Sequence, residues 1–384
     1  MNAEKIPPSE MLDLAGNSDL PLEFRMAVHL MRSKSFLQTI NRQVKLGVVF
    51  AMWGEHNRLL PHSADNPHGE DILQNKIDQL NWATENSGVE WRLYAVDDGC
   101  PHNSGRIAEK ILNNHPSADH VRILYLQHAI PTGHGPLRNL ASVEDSKKGG
   151  AIIYGCQAAI DDDVEAVIYT DADNSVHLGQ IGILLEPYLK HQYNVVLGNR
   201  KDPSSVLVKQ ENRWGIGIKM LRHIQRMVGQ TIFSQGILDS QAAFKLYQSE
   251  LLQEIIADPG VFDFSFDSDW IAAAIQRQQP FAKVPFAFVD SFAESASIVQ
   301  GPMTTWEALL MGLVKAVRHR QLPHNQQMAQ ILVEEIQSAA DLELLIDHLP
   351  DELESADDSE LGNPQLMSPE AVQAWIRHRK QASI

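Results

Sequence analysis

The sequence predicts an α/β fold built on a mainly parallel sheet with helices on both faces. Two observations carry that expectation. From residue 45 onward, short β-rich apolar runs alternate with stretches of helical period, the pattern of successive strand–helix units. Polar residues then follow directly on several of those runs, at the strand ends where open parallel sheets collect their ligands.

Taken in order, residues 1–43 hold Phe24, Val28, Met31 and Phe36 at roughly helical spacing and read as a helical N-terminal extension. The central domain, 44–300, follows with strand candidates KLGVVFAMW, EWRLYAVDDG, HVRILYLQ, EAVIYTDAD and YNVVLGNR. Helices are expected between them near 70–87, 104–114, 147–161 and 178–191. Past residue 200 the chain turns helical through NRWGIGIKMLRHIQRMVGQ, then offers the strands QAAFKLY and FAKVPFAFVD and a helix near 304–320. Residues 301–384 read as an acidic helical C-terminal extension with a mobile linker around 354–366. The terminal helices could pair copies of the chain into a homo-oligomer.

The bulk numbers exclude several classes. Across 384 residues, 49 acidic against 32 basic side chains leave a formal charge of −17, a field that repels nucleic acid and anionic membrane surfaces. Cys100 and Cys156 are too few for a disulfide framework or a cysteine-based zinc site, which points to a reducing compartment. The N-terminal residues lack an apolar signal core, and no run approaches the roughly 18 apolar residues that span a bilayer. A soluble cytoplasmic protein without a transmembrane segment is the expectation.

The chemistry-bearing residues admit two readings each. Asp171 and Asp173 follow the apolar run Val167-Ile168-Tyr169 and share a side at period-two spacing. They supply hard oxygens for Mg2+ or Mn2+ that also holds a diphosphate, or they cap a helix near 177 or form a turn. Asp97 and Asp98 close another strand as acceptors for a base or ribose, or sit in an Asp-Gly turn. Lys148 opens a helix and can meet phosphate oxygens, or is solvated beside Lys147. Arg200 can clamp phosphate or sugar, or form a surface ion pair. Trp53 borders a base or belongs to the core. His102, His128 and His134 lack metal-ligand spacing and read as solvated or pocket-lining, and the run Asp161-Asp162-Asp163 as a solvated helix end.

These segments, in this order, resemble the family-2-type glycosyltransferases of the GT-A fold, especially the branch that looks like dolichyl-phosphate mannosyltransferase. The resemblance runs from about 45 to 296. VVFAMWGEHNRL is loosely similar to the family's Pro-Ala-Tyr-Asn-Glu turn, and YAVDDGCPHNSG closely resembles its Val-Asp-Asp-Gly-Ser segment. SKKGGAIIYGCQAA resembles its Gly-Lys-Gly-Ala helix start, YTDADNSV its Asp-x-Asp, and YNVVLGNR its Val-Val-x-Gly-Ser-Arg strand. LDSQAAFKLY is similar to its Asp-x-Gln-x-x-Phe-Lys segment, and FSFDSDWIAAAIQRQQPFAKVPFAF to its Phe-Asp-x-Glu helix and Val-Pro strand.

The resemblance implies a GT-A domain that transfers a sugar from a nucleotide-diphosphate sugar to an acceptor hydroxyl, with Mg2+ or Mn2+ and with inversion. It implies metal ligation by Asp171 and Asp173. Donor contacts carry over to Ala51, Trp53, Glu55, Asp97, Asp98, Lys148, Asp171, Ala172 and Arg200, and the sugar or acceptor pocket to Asp239 and Gln241. Asp267 and Asp269 become the candidates for the general base, Asp269 standing where the family has glutamate. Asp269 is favoured, because Asp267 also suits the N-cap of its helix. No hydrophobic anchor follows the matched region, so a soluble acceptor is preferred to a polyprenyl phosphate. Three rivals stand beside this reading. A haloacid-dehalogenase-type phosphatase would use Asp171 as nucleophile, but its motif continues differently and carries its second acidic pair downstream. A sugar-nucleotide pyrophosphorylase lacks its glycine-rich loop here, and a catalytically silent sugar-nucleotide-binding protein would keep the fold without turnover.

Overall fold

The run at 44–52 forms β1 (Val44–Met52), and the next apolar runs form β2 (Val89–Asp97), β3 (Val121–Tyr125), β4 (Ala166–Thr170) and β5 (Val195–Gly198). In the computed structural model, which describes residues 7–209, 215–290 and 302–382, the described chain divides into two units. The first holds 7–209, 241–259 and 278–290, and the second 215–240, 260–277 and 302–382. The boundary expected at 300 lies outside the described residues.

Completing the strands of the first unit are β6 (Val206–Val208), β7 (Phe244–Gln248), β8 (Phe281–Val284) and β9 (Ala287–Val289). The sheet runs β3-β2-β1-β4-β7-β5-β8. β1 pairs in parallel with both β2 and β4, with Val48 opposite Leu93 and Ile168. β7 is antiparallel to its neighbours β4 and β5, so β4 and β5 still point the same way. The expected strand FAKVPFAFVD is two strands, broken at Pro285, whose missing N–H cannot serve a ladder; β8 stays in the main sheet and β9 pairs with β6.

Helices cover both faces, and the alternation of β1 shows how. Leu46, Val48 and Phe50 enter a core with Leu73, Ile77 and Leu80 of α3 (Ile72–Thr84). The same core takes Leu37 of α2 (Leu22–Leu37), which follows α1 (Pro8–Gly16), and Ile181 and Leu184 of α6 (Ile181–His191). The intervening positions face α5 (Gly149–Asp161), with α4 (Ser104–Leu112) lying beside β3. Gly47 and Gly155 make the α5 side possible: a Cβ on Gly155 would lie 2.4 Å from Val49 Cγ1, and one on Gly47 would lie 3.0 Å from Ala159 Cβ.

Every regular element among the second unit's described residues is a helix. Helix Phe266–Gln276 packs on helix Pro302–His319, with Phe266 edge-on to the buried Trp270. The stretch 354–366, expected as a mobile linker, is irregular but anchored: Arg226 donates to Asp358 Oδ2 at 2.5 Å, and Leu361 is buried. A charge-rich composition hides such pinning, since one arginine supplies it.

Gly155→Val should destabilise the first unit by about 1–3 kcal/mol, the usual cost of overpacking. Urea unfolding followed by circular dichroism should show the midpoint fall with an unchanged slope.

Candidate active site

β1 lies between β2 and β4, so the chain reverses its direction of sheet growth there, and the crevice beyond the strand ends is the place where open α/β sheets bind ligands. The sequence-predicted polar groups of the first unit sit at those ends.

Lys148 ties two of the strands together. Its backbone N–H donates to Asp98 Oδ2 at 2.6 Å, and its ammonium pairs with Asp171 Oδ1. The residue takes φ +88°, an unusual conformation for a side chain other than glycine's, and its neighbour Lys147 also has positive φ. Lys148 thus stands where it was expected, but its amide serves a carboxylate of the protein. Burial alone would raise the Asp171 carboxyl; Lys148 outweighs it, with Arg200 and Lys76 adding, and holds that carboxyl below its ordinary range.

The second aspartate is ordered locally. Asp173 Oδ1 accepts from the Ser175 N–H at 3.0 Å and the Ser175 hydroxyl at 2.5 Å, an Asx turn. Neither aspartate caps the following helix; His177 does, its Nδ1 accepting from Gly179 N–H. Among the described residues, each aspartate keeps its second oxygen unbonded, and no three His, Cys, Asp or Glu side chains form a ready metal cage.

Two cations under this loop escaped the sequence reading. Lys76, fully buried on α3, donates from Nζ to the Asp173 carbonyl at 2.8 Å and lies 5.4 Å from the Phe50 ring centroid. Burial pulls its pKa down to about 8, opposed by Asp173, Asp171 and Glu55. Arg58 is buried too, and both its Nε (2.7 Å) and one terminal nitrogen (2.5 Å) engage Glu55 Oε2. Burial raises Glu55 to about 7 despite Arg58, with Asp173 and Glu70 adding to the rise. A lysine in an amphipathic helix pattern reads as solvated, so only the fold reveals that position 76 points under the loop.

Asp98 and Asp97 divide the two readings between them. Asp98 is buried with Oδ1 unpartnered, and burial lifts it to about 7 against hydrogen bonds from Ser146 and Lys148 and with Asp97 adding to the rise. Asp97 instead accepts from the Cys100 and Gly105 N–H groups at 2.8 and 2.7 Å, which closes the turn into α4. Trp53 is 41% exposed at the end of β1 and is no core residue, between the half-buried Ala51 and Gly54 at φ +74°. Ala172 is buried between the two aspartates, and Arg200 lies 5.1 Å over the Phe288 ring of β9. The His102 ring lies tilted against His56, the His128 ring tilted against Tyr125, and His134 is exposed. Asp162 is not simply solvated: its Oδ2 gathers Tyr94, Arg122 and Arg92.

The remaining candidates divide between the units. Gln241 is a half-buried residue of the first unit, and Asp239 is buried in the second. Asp267 and Asp269 lie in the first turn of helix Phe266–Gln276, whose N-cap is Ser265, one residue earlier than the Asp267 cap expected. Asp269 is fully buried and bidentate with Arg320, Nε to Oδ1 and Nη2 to Oδ2 at 2.8 Å each, while Gly260 N–H donates to Oδ2 at 3.0 Å. Both oxygens of Asp269, the carboxylate favoured as base, are thus engaged in a buried ion pair and face no solvent. The longer-range partner Arg320 gave no local signal in the sequence.

Residues 70–256 match the model of Glycosyl transferase family 2. Over that span the chain is similar to the glycosyl transferase family 2 domain. That span contains Asp97, Asp98, Lys148, Asp171, Asp173, Arg200, Asp239 and Gln241, and leaves Glu55, Asp267 and Asp269 outside. A dolichyl-phosphate beta-glucosyltransferase from Trichomonas vaginalis is 24% identical over 214 residues, 53% of this chain and 54% of that protein. The chain thus spans about half the length of this curated relative. Mannosyl-3-phosphoglycerate synthase from Rubrobacter xylanophilus has a similar fold, with TM-score 0.50 and 12% identity over 83% of this chain and 80% of that one. Glucosyl-3-phosphoglycerate synthase from Mycobacterium tuberculosis, solved with Mn2+, UDP and glucosyl-3-phosphoglycerate, aligns over 80% and 86% of the two chains with TM-score 0.48 and 13% identity. The fold is GT-A, and no described helix is long and apolar enough to cross a membrane.

The raised carboxyls imply a pH dependence of stability. A carboxyl raised to about 7 holds in the folded chain a proton that the unfolded chain releases, so stability falls as pH rises from about 4 to about 7 and then levels. Asp98→Asn keeps an acceptor for the Lys148 N–H and removes one titrating group. Its urea midpoint should fall less over that window than that of the unsubstituted protein; identical profiles would remove Asp98 as a contributor.

Proposed function

We propose that the chain is a glycosyltransferase moving a sugar from a UDP- or GDP-linked donor to an acceptor hydroxyl with inversion. The observation that carries this reading is the convergence, within a family 2 domain, of Asp98, Lys148, Asp171 and Asp173 at the sheet's switch point. The residues fit a divalent cation: among the described residues each aspartate of the pair keeps an unbonded hard oxygen, and two carboxylates leave coordination positions for a diphosphate and water. A bound Mg2+ or Mn2+ would supply charge neutralisation for the departing diphosphate.

The chain's own groups then have distinct tasks. The Lys148 ammonium and Arg200 hold phosphate oxygens, exchanging contacts with Asp171 for contacts with the donor. Asp98 and the exposed Trp53 receive the base and ribose, with Ala51, Glu55, Asp97 and Ala172 shaping the walls. Asp239 and Gln241 belong with the sugar or acceptor. Asp267 takes the acceptor proton, because Asp269 is occupied by Arg320. A soluble acceptor is the reading kept here; the dolichyl-phosphate relative names the competitor to test against it.

Calorimetric titration with UDP and GDP, with and without Mn2+, decides the donor half. Metal-dependent binding is expected, and Asp173→Ala should abolish it; unaltered titrations of that variant would sink the assignment. For the acceptor half, Asp267→Asn should cut transfer by about 10²–10⁴ with donor affinity unchanged. Asp269→Asn should instead lose stability, by about 3–5 kcal/mol, because it removes the buried charge that Arg320 pairs with. Normal stability of Asp269→Asn together with lost transfer would restore Asp269 as the base.

A further inference from the structure

The N-terminal helices make an unexpected set of bonds. The face of α2 that is buried carries His29, Ser33, Phe36 and Leu37, two of them polar, whereas Met31 of the expected apolar stripe is 38% exposed. The polar pair has work to do. Ser33 Oγ accepts from Gly182 N–H at 2.9 Å, which fixes α2 to the start of α6. His29 Nε2 lies 2.9 Å from the Ser204 carbonyl. A carbonyl only accepts, so Nε2 carries the hydrogen, and burial keeps the ring neutral by lowering its pKa to about 4. Arg25 adds a second tie, donating to the Ala15 carbonyl at 2.6 Å and to the Ser205 carbonyl at 3.3 Å. Gly16 completes the seat, because a Cβ there would sit 3.2 Å from the Pro203 carbonyl oxygen.

The contacts to Pro203, Ser204 and Ser205 fall on the turn that follows β5 and bears Arg200. That turn is compact: Ser205 Oγ donates to the Asn199 carbonyl at 2.6 Å and accepts from Phe286 N–H at 3.1 Å, and Asn199 N–H reaches the Val284 carbonyl at 2.8 Å. Displacing 203–205 therefore displaces 199–200. We propose that α1 and α2 are a brace for the Arg200 turn, and that Arg25 and His29 are positioning residues which act on the donor diphosphate through Arg200. The inference rests on the transferase reading for its ligand and assigns a task to the N-terminal extension that the family 2 match, beginning at residue 70, leaves unassigned.

The test is a double-mutant cycle with UDP and Mn2+ as the probe, combined with amide hydrogen exchange. His29→Ala should speed exchange at 201–206 by about tenfold, leaving α5 and the central strands protected. It should also weaken UDP binding by about three- to tenfold, the scale of one lost hydrogen bond. In an Arg200→Ala background the same substitution should change UDP affinity by less than about twofold, since its route to the ligand is gone. His29→Gln, whose amide can donate to Ser204, should recover both readouts. Full additivity in the cycle, or wild-type exchange at 201–206 in both His29→Ala and Arg25→Ala, would overturn the brace. Failure of the unsubstituted protein to bind UDP or GDP would instead sink the transferase reading, and the exchange arm, which needs no ligand, would still decide whether α2 holds the turn.

Discussion

The site depends on one residue in an unfavourable backbone conformation. Lys148 gives its amide to the carboxylate after β2 and its ammonium to the carboxylate after β4, so two strand ends that flank β1 are held in mutual register by a single side chain and its own peptide. A non-glycine residue at φ +88° costs on the order of 1–3 kcal/mol and persists only where its surroundings enforce it. Two ionic hydrogen bonds, each roughly twice as strong as a neutral one, are what enforce it here. The helix α5 that begins immediately afterwards is seated against β1 through Gly155, so packing and electrostatics fix the same position.

The second constraint is charge. Parallel strands bring their carboxyl ends to one edge, and here that edge carries Glu55, Asp97, Asp98, Asp171 and Asp173. Like charges gathered at low dielectric raise one another's pKa unless cations intervene. Asp97 is engaged by backbone N–H groups, Asp171 is held low by Lys148 against its burial, and Glu55 is raised by burial against Arg58; Asp98, with an unpartnered oxygen, is lifted by burial to about 7. Lys76 serves the group as a whole, since it touches the loop backbone and feels three carboxylates.

The fold was largely legible because its signals are local. Strand runs, the helical stretches between them and the aspartates closing each run all follow from short windows, and β1 to β5 fall where those windows put them. Strand order is not local. The antiparallel β7 inserted between β4 and β5, and the split of 281–290 at Pro285 into two sheets, required partners distant in sequence. The same limit hid Arg58, Lys76 and Arg320, whose residue types are ordinary on surfaces and whose burial is fixed only by tertiary packing. It also misdirected the α2 stripe, where inward-facing His29 and Ser33 are polar because they bond backbone, not because they meet water.

The net charge of −17 and the anionic ligand proposed for this site are compatible for a reason of scale. At physiological ionic strength a surface charge is screened over about 8 Å, so dispersed carboxylates contribute little inside a crevice whose own cations are buried or half-buried. Lys148 and Arg200 are close enough to lower the Asp171 carboxyl against its burial. A long-range repulsion slows encounter, whereas the short-range field sets retention, and the two are carried by different residues. An acidic chain can therefore hold a polyanion at one point, provided that cations are gathered at that point.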